Sequence, residues 1–177
     1  MTVYSEDLPG LGRFTLTGLD PAADTALVHR WVTEPRAEFW GMTGHTLDDV
    51  REVYGFVDSL DTHHAYLMRL DGVPVGIFQT YEPGADPIGE YYDVRPGDHG
   101  IHLFLAPADP PVPGFTGAVA GALVRFVFQD PARTRIVVEP DARNERALRR
   151  WKRLGFVFGE QVRTEHKLAQ LAFLDRA

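Results

Sequence analysis

The sequence predicts an α/β fold held in a single domain, and three observations predict it. Apolar residues recur at helical spacing in some segments and alternate, or run together, in others, so strand and helix signals follow one another along the chain. An Asp71-Gly72 pair joins two strand-like segments in the manner of a tight hairpin. The 177 residues suffice for one sizeable core and are too few for two ordinary ones, and no flexible linker or internal repeat divides 1–177.

Residues 12–19 alternate Phe14 and Leu16 against Arg13, Thr15 and Thr17, an amphipathic strand ended by Asp20-Pro21. From 23 to 32, Ala26, Leu27 and Trp31 take helical spacing, with Asp20 or Asp24 available as a cap and Pro35 opposing continuation. Thr46-Leu47-Asp48-Asp49 reads as a capping box, and Val50, Val53, Tyr54 and Val57 follow at i, i+3, i+4 and i+7, predicting a second helix that ends near Leu60. Residues 65–70 and 73–81 form the two arms of the hairpin, and 100–105 (GIHLFL) is a dense apolar strand. A helix over 118–128 stops at Asp130-Pro131, a strand covers 135–139, and a helix over 145–154 closes at Gly155. Residues 156–171 are a closing strand pair or a strand plus tail, giving the order β, α, α, β, β, β, α, β, α, β.

Eighteen Lys and Arg against 25 Asp and Glu leave a net charge of −7, and no basic cluster is long enough to follow a phosphate backbone, which argues against nucleic acid as a partner. The absence of cysteine removes a thiolate nucleophile, a disulfide and any Cys-ligated zinc. No apolar run approaches the roughly 20 residues of a membrane span, and no h-region follows Met1. The expectation is a cytoplasmic protein without a membrane partner. His63-His64 is no metal pair, because adjacent strand side chains point apart, so no metal is expected. The acidic stretch Asp86, Glu90, Asp93 and Asp98 reads as a solvated loop.

The last third carries the sharpest pattern. Arg135-Ile136-Val137-Val138-Glu139-Pro140-Asp141-Ala142-Arg143-Asn144 runs into Glu145 through Gly155-Phe156: a strand ending in an acid, an Asn opening a helix, and a Gly-Phe exit. This resembles the C-terminal half of the GNAT acetyltransferase superfamily, and the GIHLFL strand, Gly-containing loop and helix before it resemble that family's acyl-CoA unit. The resemblance implies a mixed, mostly antiparallel sheet flanked by helices, with acetyl-CoA or another acyl-CoA as co-substrate. His29-Arg30-Trp31, Glu38-Phe39-Trp40-Gly41-Met42, Gly97 to His102 and Glu139-Pro140-Asp141, in that order, resemble the branch that acylates N-hydroxylated amines in hydroxamate siderophore biosynthesis. That branch implies a small-molecule amine or hydroxylamine acceptor, and a monomer or homodimer.

Residue by residue, an imidazole that is neutral near pH 7 makes His102 the candidate base, with Glu139 or Asp141 to orient it or to hold a cationic acceptor. The resemblance gives donor-binding roles to Leu103, Phe104 and Leu105, whose backbone N–H groups would polarise the thioester carbonyl, and to Asn144. The pyrophosphate loop would be Gly114 and Gly117 with the start of the helix at Ala118, although the family's basic lead residue is missing. His29, Trp31 and Trp40 would line the acceptor channel. Many members carry a Tyr, the acid for the leaving thiolate, where this chain has Trp151, whose indole N–H is too weak an acid for that task. The Glu-Pro-Asp…Asn…Arg-Ala-Leu…Gly-Phe stretch is also similar to aminoglycoside N-acetyltransferases, and the degenerate loop is compatible with an acyl-CoA-binding module without turnover.

Overall fold

A computed structural model of the protein describes residues 1–108 and 110–177. Eight strands, β1 (Thr2–Leu8), β2 (Gly12–Gly18), β3 (His63–Leu70), β4 (Val73–Tyr81), β5 (Asp98–Leu105), β6 (Arg135–Val138), β7 (Val157–Arg163) and β8 (Leu168–Asp175), form a sheet in the order β1-β2-β3-β4-β5-β6-β8-β7. The pairs β1/β2, β2/β3, β6/β8 and β7/β8 are antiparallel and β5/β6 is parallel. The helices are α1 (Thr25–Val32), α2 (Leu47–Asp58), α3 (Phe115–Val127) and α4 (Glu145–Arg153). The chain groups into two compact units, Met1–Gln79 with Leu103–Thr116, and Thr80–His102 with Gly117–Ala177.

In the first unit, the hairpin closes where Asp71 takes φ +48 and Gly72 φ +81; the Asp71 carboxylate accepts from the Arg13 backbone N–H at 2.8 Å, tying the turn to β2. The predicted capping box of α2 is present: Thr46 accepts from the Asp49 N–H at 3.1 Å and Asp49 from the Thr46 N–H at 2.8 Å. Val28, Trp31 and Val32 of α1 pack with Val50 and Tyr54 of α2, Leu67 and Ile77 of the hairpin, and Phe104. Two expectations fail here. Ala26 is exposed and the helix begins at Thr25, because Asp20 uses its carboxylate on the N–H groups of Ala22 and Ala23 and holds the chain in a turn first. The second is the element order, which opens on 12–19: β1 precedes that strand, an edge strand paired only with β2, whose residues from Tyr4 on alternate less and more exposed down to the buried Leu8.

In the second unit, Val137 and Val138 of β6 are fully covered, as are Ala169, Leu171 and Ala172 of β8. Asn144 caps α4 by accepting from the Ala147 N–H at 3.2 Å, and Gly155 ends it at φ +94, a conformation glycine adopts without strain. The segment after Phe156 is a strand pair, and β8 runs on to Asp175. Asp98 is not solvated: its side chain is 1% exposed, begins β5, and holds Arg135 through two bonds of 2.6 and 2.7 Å. The helix α3 starts at Phe115, three residues before the expected position, so Gly117 and Ala118 lie in its first turn, while Gly114 precedes it at φ +75.

Candidate active site

The site of the second unit follows from strand register. In the parallel pair, Asp98 faces Arg135, His99 faces Ile136 and Gly100 faces Val137, a constant offset of 37 residues. Continued past the ladder, the same offset sets His102 against Glu139, and their side chains meet: His102 Nε2 lies 2.6 Å from Glu139 Oε1. Alternate residues of a strand share a face, so Asp98, Gly100 and His102 form one row, against Arg135, Val137 and Glu139. At the middle of the row, a Cβ on Gly100 would run into the ring of Tyr81. The glycine therefore admits that ring, whose hydroxyl donates to Glu139 Oε1 at 3.3 Å and whose centroid lies 4.9 Å from that of His102.

The second carboxylate oxygen, Oε2, holds the Lys167 ammonium at 2.8 Å. Glu139 is thus enclosed by a phenol, an imidazole and an ammonium. Burial alone would raise its pKa, but His102 and then Lys167, through charge and hydrogen bonding, outweigh that and bring it down to about 2. It is a carboxylate at any working pH. An ionised carboxylate only accepts hydrogen bonds, so the hydrogen between the two groups sits on His102 Nε2, which leaves Nδ1 as the ring nitrogen that can offer a lone pair. Burial first, and then the charge of Glu139, push the Tyr81 phenol far above its ordinary value, so Tyr81 remains a neutral donor.

Asp141 does not reach this cluster by any described bond. Its carboxylate turns back on its own loop, accepting from the Arg143 backbone at 2.9 Å and from the Arg143 guanidinium at 3.1 and 2.9 Å. Those bonds hold its pKa below the usual range. Asn144 spends its side-chain oxygen as the α4 cap. Trp151 is 3% exposed and packs against Phe156 at 5.0 Å, a core residue.

The sequence-named residues of the first unit gather in an aromatic cluster. Phe104 stacks on Trp31 at 6.4 Å and meets Trp40 edge-on at 5.4 Å, while Trp40 Nε1 donates to the Tyr54 hydroxyl at 3.3 Å. Trp31 and Phe104 are buried; Trp40 is partly exposed. His29 Nε2 lies 3.1 Å from the His45 carbonyl, and the Leu105 carbonyl accepts from Arg36 at 3.1 Å. Leu103 continues β5 beside Phe104. Tyr81 and Lys167 were not anticipated. The signal for Tyr81 was Gly100, an unexplained glycine in a dense strand; Lys167 left none beyond being one of two lysines. Among the described residues no group of three potential ligands is arranged for a metal ion, and no helix is long and apolar enough to cross a membrane.

Residues 20–164 match the family model described as an acetyltransferase (GNAT) domain, and the chain belongs to that family. The N(6)-hydroxylysine O-acetyltransferase of Escherichia coli is 27% identical over 166 residues, 89% of this chain and 50% of that protein, so the chain spans half the length of this relative. The aminoglycoside N(6′)-acetyltransferase type 1 of Klebsiella pneumoniae is 32% identical over 138 residues, 75% of this chain and 69% of the relative. The solved structure of AAC(6′)-Ib in complex with paromomycin and acetyl-CoA aligns with a TM-score of 0.82 at 30% identity, over 92% of this chain and 93% of that one.

Proposed function

We propose that the protein is an acyl-CoA-dependent N-acyltransferase whose acceptor is an N-hydroxylated amine, such as a hydroxylysine, hydroxyornithine or hydroxy-diamine, in hydroxamate siderophore biosynthesis. The observation that carries the reading is the buried carboxylate of Glu139, held 2.6 Å from His102. This pair fixes the imidazole tautomer and supports the positive charge that the ring acquires when it takes a proton. The acceptor nitrogen attacks the thioester carbonyl, and His102 removes the nitrogen's proton at Nδ1. The N–C bond forms as the C–S bond breaks, and the proton ends on the departing CoA thiol, returned by His102 or through water. Glu139 and Tyr81 are positioning groups. No covalent enzyme intermediate is needed, in keeping with a chain that has no cysteine.

For the donor, the open side of Gly114 and Gly117, where a Cβ would meet nothing within 4 Å, leaves backbone room at the start of α3, and the first turn of that helix has no acidic residue to oppose a phosphate. The backbone of Leu103, Phe104 and Leu105, together with Ala118 and Asn144, keeps its proposed donor role, as Asp141, His29, Trp31 and Trp40 keep theirs toward the acceptor.

The N-hydroxy acceptor suits this site. An alkyl amine with a pKa near 10.4 arrives as an ammonium, whereas an N-hydroxyamine is far less basic and largely neutral at pH 7. One imidazole base, with Trp151 where the family resemblance implies a Tyr, serves the easier nucleophile. The E. coli relative named for N(6)-hydroxylysine supports this choice. The second reading, an aminoglycoside N-acetyltransferase, is favoured by the 32% identity to the Klebsiella enzyme. Steady-state assays with acetyl-CoA and succinyl-CoA decide. The expected outcome is a kcat/KM for an N-hydroxylated diamine or amino acid at least about tenfold above that of its parent amine at pH 7, with the gap closing as pH rises. A preference for an aminoglycoside establishes the second reading, and binding of acyl-CoA without thiol release with any acceptor identifies a non-catalytic module.

A further inference from the structure

We infer that Lys167 is a positioning residue of the His102–Glu139 pair: it locks the carboxylate rotamer from the oxygen opposite His102 and offsets the carboxylate charge that the imidazole faces. The inference rests on the reading of His102 as the base. Lys167 stands in the connection between β7 and β8, and its backbone is fixed from both sides of the turn. Its carbonyl accepts from the Thr164 N–H at 2.9 Å and the Thr164 hydroxyl at 3.1 Å, and its own N–H donates to that hydroxyl at 3.2 Å. The first residues of β8 then run beside the segment that carries Glu139. The Ala142 N–H donates to the Leu168 carbonyl and the Gln170 N–H to the Pro140 carbonyl, each at 2.8 Å, with Asp141 bridged to Ala169. The backbone pairing delivers the ammonium to Oε2, opposite the oxygen that serves His102.

A carboxylate with a single partner can rotate about its terminal torsion and offer either oxygen. Glu139 has cations or donors at both oxygens: Lys167 on Oε2, His102 and Tyr81 on Oε1. The charges matter as much as the geometry. An imidazole beside an uncompensated carboxylate becomes an imidazolium more readily, and an imidazolium cannot take the acceptor's proton. The Lys167 charge opposes that protonation. Among the described residues, the ionisable groups around the pair include Tyr81 from β4, which stays neutral and also feels Asp86 and Tyr92 from the segment after β4, and Asp141, which is bonded to Arg143 and interacts more weakly with Lys167. Further along the row, Asp98 and Arg135 neutralise each other.

The test is the titration of the His102 ring, followed by NMR in the wild-type protein and in Lys167→Met and Lys167→Arg, with the resonance assigned from its loss in His102→Gln. Removing a cation from the opposite oxygen of the same carboxylate is expected to move the titration of the partly exposed ring by about one unit. Lys167→Met is therefore expected to raise by about one pH unit the pH at which His102 takes its second proton, and Lys167→Arg is expected to restore the wild-type value. The acidic limb of the kcat/KM profile should move upward in step, with KM for acyl-CoA unchanged. An unmoved titration in Lys167→Met overturns the inference, as does an Arg variant displaced as far as Met. If Lys167→Met does not fold, Lys167→Gln is read in the same way. The titration needs no turnover, so absent acyl transfer would count against the proposed function while the role of Lys167 is still decided.

Discussion

Replacing Glu139 with Gln tests the electrostatic centre of the site through stability. The carboxyl is held at about 2 in the folded protein against an ordinary 4.5, a separation of about 2.5 units. Linkage converts this to about 3 kcal/mol of stability at pH 7. Water at the ring of His102, whose side chain is 36% exposed, screens part of that attraction and brings the expected loss on substitution to about 2 kcal/mol. The folded-state pKa is depressed, so the contribution is fully present above pH 4.5 and disappears as pH falls toward 2. Urea unfolding of wild type and Glu139→Gln at several pH values measures it. The two proteins should differ by about 2 kcal/mol at pH 7, and that difference should shrink by at least half by pH 3. A difference that is the same at both pH values would refute the reasoning, because a purely steric role for Glu139 does not titrate.

Gly100→Ala should be costly although it adds one methyl group, since the Cβ runs into the fully buried Tyr81 ring; thermal or urea unfolding should show a loss of about 1–3 kcal/mol. A Gly100→Ala protein as stable as wild type would show that Tyr81 is not held as described. His102→Ala should lower kcat by about 10²–10⁴-fold while acyl-CoA affinity, measured by calorimetry, stays within about threefold of wild type. Wild-type turnover in that variant would overturn the assignment of His102 as the base.

Elements whose signals are local were legible in the sequence. The Thr46 capping box, the Asp71-Gly72 turn and the Gly155 stop depend on residues within a few positions of one another, and each stands where the residues place it. Boundaries drifted where a side chain had two possible uses: Asp20 spends its carboxylate on a turn and postpones α1, and Asp98 is drawn out of a polar loop into β5 by Arg135, 37 residues away. In the site, His102 and Glu139 were legible as chemistry, but the choice between Glu139 and Asp141 as partner was not. Register decides it, and register is a long-range property. Lys167 was invisible for the same reason: nothing near it in sequence says that a hairpin will bring it beside residue 139.

The row that builds the site also explains why three dissimilar pairs occur on one face. Asp98 with Arg135, Gly100 with Val137, and His102 with Glu139 stand at successive steps of a single offset. The first pair is a bidentate ion pair with an aspartate side chain only 1% exposed, backed by the Phe173 ring 4.4 Å from the guanidinium. Such a pair is costly to break once buried, so it pins the register at the start of the ladder. The second leaves a gap for an aromatic ring. The third turns the register so fixed into chemistry, because a slip of one residue would send Glu139 to the opposite face of the sheet and leave His102 without its carboxylate. Fold and proposed catalysis are thus coupled through one offset. A weakened Asp98–Arg135 pair would act on His102 by loosening the alignment that brings Glu139 within 2.6 Å of it.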